Sequence, residues 1–114
     1  MTISSGEKHQ YITFTEKNFN REGIQRLAGE VLTLEEDVIV DLSNVGTPEE
    51  SLVSEFIVAI SPLLDDNIVI LVGDEDKLEK LGFLEEEFPV TPTYNEAMDF
   101  LFMMQLEKDL GIDE

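Results

Sequence analysis

The sequence predicts a single-domain α/β fold, a mixed sheet of about four strands packed with about four helices. Two short runs, Val38-Ile39-Val40-Asp41-Leu42 and Ile68-Val69-Ile70-Leu71-Val72, are nearly continuous in apolar residues, as in strands covered on both faces. Other stretches carry apolar residues at helical spacing behind capping signals. Strand and helix patterns alternate from end to end, which points to an at least partly parallel sheet. With 114 residues, 42% of them apolar, the chain can build one core but not two.

Residues 1–9 are polar and read as a loose tail, followed by a domain over 10–110 and an acidic tail over 111–114. Tyr11-Ile12-Thr13-Phe14-Thr15 alternates and is rich in β-branched and aromatic side chains, so it is the first expected strand. From Phe19 the period becomes helical, with Ile24, Leu27, Ala28 and Val31 on one stripe that Leu34 would extend, and Asn18 or Asn20 as cap. Gly23 and Gly29 weaken that helix intrinsically. After the Val38–Leu42 strand, Thr47 is the expected N-cap, Pro48 the first helical residue and Glu50 the partner in a T-x-x-E capping box. The stripe Leu52, Val53, Phe56, Ile57 and Ile60 follows, and Ser61-Pro62 ends it. Beyond the Ile68–Val72 strand and Gly73, the segment Asp74 to Leu81 predicts a short helix stopped by Gly82, with Phe83 folding back in a Schellman ending. Phe88-Pro89-Val90 reads as a brief edge strand. Thr93 to Glu96 forms a second capping box and opens a last helix reaching about Leu110.

Charge is the dominant compositional fact. Against 7 basic side chains stand 26 acidic ones, a formal net charge of −19. Such a surface repels nucleic-acid backbones and anionic lipid and attracts basic protein surfaces. There is no cysteine, which excludes disulfides, thiolate metal sites and a cysteine nucleophile. The N-terminus has no apolar run suited to a secretory signal, and no stretch of the chain reads as membrane-spanning, so a cytoplasmic setting is expected. His9 is the one histidine and has no nucleophile near it in sequence. No cofactor is implied.

Three features are candidates for function. Asp41 closes one central strand and Asp74 follows the other, and in parallel α/β sheets ligands gather at the carboxyl ends of strands. These two would serve a small metal-dependent phosphoacceptor or enzyme, although Asp74 is also a natural helix cap. Ser51 points away from the apolar stripe of its helix and sits near the helix's positive end, where added phosphate is favoured; Glu49 and Glu50 oppose it by like charge. The last helix places Ala97, Phe100, Leu101 and Met104 on a core-facing stripe and Phe102, Met103, Leu106 and Leu110 on nearly the opposite face. That second apolar face is either covered by the same chain or forms a homodimer or partner contact.

The run Val38-Ile39-Val40-Asp41-Leu42-Ser43-Asn44-Val45, the helix pattern from Val53, the Ile68–Gly73 strand, Lys80-Leu81-Gly82-Phe83, Phe88-Pro89-Val90 and Asn95-Glu96-Ala97 together resemble a STAS domain, the module of anti-sigma-factor antagonists. The likeness spans about residues 11–104. It implies a non-enzymatic interaction module whose partner is a serine-kinase anti-sigma factor or related regulator. The family's Asp-Ser-Ser-Gly motif, aligned without gaps from Asp41, falls on Glu49-Glu50-Ser51-Leu52, so Ser51 takes the phosphorylated position. Here Glu50 replaces the first serine, Leu52 the glycine, and Pro48 an apolar residue. The implied docking face comprises Gly46, Thr47, Glu49, Glu50, Ser51, Ser54 and Glu55. A degenerate scaffold that is never phosphorylated, dimerising through its last helix, is the alternative within the same resemblance.

Overall fold

The computed structural model describes residues 2–5, 9–31, 36–65, 67–83 and 88–110. Its order is β1 (Thr2–Ser5), β2 (His9–Thr15), α1 (Arg21–Val31), β3 (Asp37–Asn44), α2 (Glu50–Ile60), a 3-10 turn (Ser61–Asp65), β4 (Val69–Val72), α3 (Glu75–Lys80), β5 (Val90–Thr91) and α4 (Tyr94–Leu110). The five strands form one sheet in sequential order. β2 through β5 run parallel, and β1 pairs antiparallel with β2 in the register Ile3 to Ile12. This is the α/β class expected from the two apolar runs.

Residues 1–9 depart from the expected tail. Thr2–Ser5 is an edge strand, and His9 opens β2, buried to 4% exposure. The segment contains β-formers, Thr2 and Ile3, and tertiary pairing onto β2 outweighs its polar composition. Residues 6–8 and the acidic tail 111–114 lie outside the described residues.

Side chains alternate across the pleat and divide the core between two faces. Ile12, Phe14, Val38, Val40, Leu42, Val69 and Leu71 meet the layer of α1, α2 and α3. Phe14, Phe19, Phe56 and Phe83 interlock there, with ring centroids 5.3–6.0 Å apart and mostly edge to face, the arrangement that ring quadrupoles favour. On the other face Ile39, Ile70 and Val72 pack against Ala97 and Leu101 of α4, flanked by Tyr11, Tyr94, Met98 and Met104. β4 is buried on both faces for this reason.

The helix ends follow local chemistry at most places. Asn20, rather than Asn18, caps α1, its Oδ1 accepting from the Gly23 N–H at 2.8 Å. Asp74 caps α3 by accepting from the Lys77 N–H. α3 closes in a full Schellman motif: Phe83 N–H donates to Leu78 O, Gly82 N–H donates to Glu79 O, and Gly82 is left-handed at φ 90°. Thr93 caps α4, its hydroxyl accepting from the Glu96 N–H. Asp37 ties three elements together. Its Oδ1 accepts from the Ile68 N–H at 2.7 Å and its Oδ2 from Gln105 Nε2 at 2.8 Å. Among the described residues, no helix is long and apolar enough to cross a membrane.

Candidate functional site

The candidate face begins where β3 leaves the sheet. Val45 is buried, and Gly46 turns the chain at φ 79°, a conformation that suits glycine. A Cβ at Gly46 would also press on the Glu16 carboxylate. The backbone is extended at Glu49, the N-cap residue, whose side chain makes no cap bond, and α2 starts at Glu50. The expected capping box at Thr47 and Glu50 is therefore corrected: the helix starts two residues later. The crossover from the strand end to the helix layer uses up Gly46 to Glu49, and Glu49, extended at φ −68° and ψ 146°, takes the N-cap position in place of Thr47.

The late start brings Ser51 into the first turn of α2. The Leu52 and Val53 N–H groups donate to Glu49 O at 3.0 and 3.2 Å. Ser51 is exposed, as are Thr47, Glu49, Glu50 and Ser54, while Gly46 and Glu55 are half-buried. Val53, Phe56, Ile57 and Ile60 turn inward. At helical spacing, Ser51, Ser54, Glu55 and Val58 share one side of α2, and Val58 is 73% exposed. Alongside that stripe a groove of about 400 Å³ runs between α2 and α1, floored by Ile24, Ala28 and Ala59. Arg21 Nε reaches over its end to Glu55 Oε1 at 3.0 Å, while Glu55 Oε2 is buried without a hydrogen-bond partner. Both side chains of that ion pair are substantially exposed, so it adds little to stability. The face thus combines an apolar furrow with the carboxylates of Glu49, Glu50 and Glu55. Such a surface suits a partner carrying apolar and basic side chains, and the first-turn dipole partly offsets the acidic neighbours of a phosphate at Ser51.

Asp41 and Asp74 are each engaged locally. Asp41 Oδ2 accepts from the Tyr11 hydroxyl at 2.8 Å, and its Oδ1 accepts from the Ser43 N–H and hydroxyl. Asp74 is the α3 cap. Among the described residues, no group of three His, Asp or Glu side chains is placed to hold a metal ion. Sequence reasoning missed an open cavity of about 540 Å³ at the carboxyl ends of β3, β4 and β5, lined by Ser43, Lys77 and Thr91 among others. Only the general preference of ligands for that edge of a parallel sheet signals it beforehand.

His9, expected in the tail, and Tyr11, expected in the first strand, both lie in β2. Tyr11 stacks on Tyr94 with centroids 4.1 Å apart, and His9 Nε2 lies 3.2 Å from the Tyr94 hydroxyl. Burial, helped by the Asp41 carboxylate, raises the Tyr11 pKa. These contacts tie the start of α4 to β2.

The outer face of α4 is uncovered. Phe102, Met103 and Leu106 are 67%, 60% and 49% exposed. Phe100, expected on the core stripe, is exposed as well, and Met98 packs inward in its place. The helix is rolled so that Tyr94, Ala97 and Leu101 centre on the sheet, which carries Phe100 past the edge of the contact. The side chain of Leu110 lies outside the described residues.

No protein-family model matches this chain, and no curated protein matches it significantly in sequence.

Proposed function

We propose that this protein is a non-enzymatic, STAS-like interaction module that works in a cytoplasmic partner-switching circuit. It docks a basic protein surface, of the kind a serine-kinase anti-sigma factor or related regulator presents, through Gly46 to Glu55. One observation carries the reading: Ser51 is exposed in the first turn of an amphipathic helix that directly follows the Asp41-Leu42-Ser43 strand. A phosphate there would add charge to the docking stripe, one turn before Ser54 and Glu55 at the edge of the groove. Like-charge repulsion and desolvation would then release the partner. The net charge of −19 supports the polarity of the encounter, with a basic partner drawn in and nucleic acid kept away.

Phosphopeptide mass spectrometry on the protein taken from its native cells tests the switch. The expected result is a phosphorylated fraction on the peptide containing Ser51. Its complete absence across growth and stress conditions removes the switch and favours the unphosphorylated scaffold, in which Glu50 supplies fixed charge and Leu52 obstructs a kinase's backbone approach.

A further inference from the structure

The outer face of α4 lies across the sheet from the Ser51 stripe and is independent of it. Phe102 and Leu106 stand one turn apart, with Met103 beside them, and all three project from a helix whose inward side is already satisfied by Ala97 and Leu101. Large apolar side chains gathered on one exposed helix face mark an interaction surface, and Phe and Met adapt readily to a partner's shape. Asp99 sits within the patch, one turn before Phe102 and Met103, and Glu96 and Glu107 border it; all three acids are exposed.

That charge pattern selects the occupant. In a homodimer packed through this face, Asp99 would be buried against the same acidic patch of a second copy, and two chains of net charge −19 would be brought together. Burying a carboxylate without a cationic partner is strongly unfavourable. A segment with apolar side chains flanked by Lys or Arg satisfies both halves of the surface. We infer that the outer face of α4 is a second docking surface, which takes a basic amphipathic helix of another protein rather than a second copy of this chain.

The test is amide chemical-shift mapping on the full chain, titrated with a synthetic amphipathic Leu/Lys helix and, separately, with a scrambled peptide of the same composition. Shifts should concentrate on residues 99–107. Scrambling the peptide, or the double substitution Phe102→Ser with Leu106→Ser, should each weaken binding by about tenfold or more. Equal binding of both peptides reduces the effect to bulk charge attraction and overturns the proposal. So do shifts centred on the α1–α2 groove. A dimer in sedimentation equilibrium that Phe102→Glu dissociates also overturns it, by making a second copy the occupant. The mapping and the peptide comparison use the unaltered protein, so they decide the matter whether or not a variant folds.

Discussion

Gly23 and Gly29 lie in the same helix, and replacing each with alanine should move stability in opposite directions. In an exposed helix interior, alanine is favoured over glycine by about 1 kcal/mol, because the unfolded chain loses freedom and the helix loses none. At Gly29 that gain should be realised: the position is exposed, and an added Cβ meets no heavy atom within 4 Å. At Gly23 the same Cβ would overlap the Asn18 carbonyl oxygen. Relieving the overlap requires a shift on the order of 1 Å, against a turn held by Phe19 N–H to Thr15 O at 3.0 Å and Asn20 N–H to Asn18 O at 2.9 Å. The same shift pulls the Gly23 N–H off the Asn20 cap, and losing a cap costs about 1 kcal/mol. Overpacking strain adds about 1–3 kcal/mol. After the propensity gain is subtracted, Gly23→Ala should destabilise by about 1–3 kcal/mol, while Gly29→Ala stabilises by about 0.5–1 kcal/mol. Urea unfolding followed by circular dichroism measures both. With a slope of about 2 kcal/mol/M, the two midpoints should fall on opposite sides of wild type, roughly 1–2 M apart. Midpoints that move in the same direction would refute the packing argument at Asn18.

Two further outcomes are expected. The Tyr11 pKa is raised in the folded state, chiefly by burial, so its contribution is complete below the ordinary tyrosine value of 10.0 and is lost as pH rises toward the folded value. The wild-type urea midpoint should therefore fall more steeply above pH 10 than that of Tyr11→Phe; parallel curves would contradict it. Asp37→Ala removes the acceptors for Ile68 N–H and Gln105 Nε2 and should cost about 2–3 kcal/mol. Hydrogen exchange at the Ile68 amide should accelerate, and an unchanged exchange rate would show that this bond carries no local stability.

The α/β class was legible because buried parallel strands leave a local mark: Val38–Leu42 and Ile68–Val72 have no polar face to show. The caps at Asp74 and Thr93 and the Schellman ending at Gly82-Phe83 were legible for the same reason, since each satisfies backbone groups within a few residues. Periodicity made Ser51 recognisable as an exposed serine, while its place near a helix start was read from capping signals that the structure moves by two residues. Tertiary structure decided what local chemistry leaves open. Thr2–Ser5 becomes a strand through pairing with β2, a contact that its polar composition does not announce. α2 begins at Glu50 because the crossover consumes the preceding residues, although Thr47 has the better capping chemistry. Phe100 is exposed and Met98 is packed because the roll of α4 is set by Tyr11, Ile39 and Ile70, residues distant in the chain. The furrow between α1 and α2 and the cavity at the carboxyl edge of the sheet exist only once separate elements meet. Periodicity reports which residues share a face; the angle at which that face meets its neighbours is fixed by packing across the sheet.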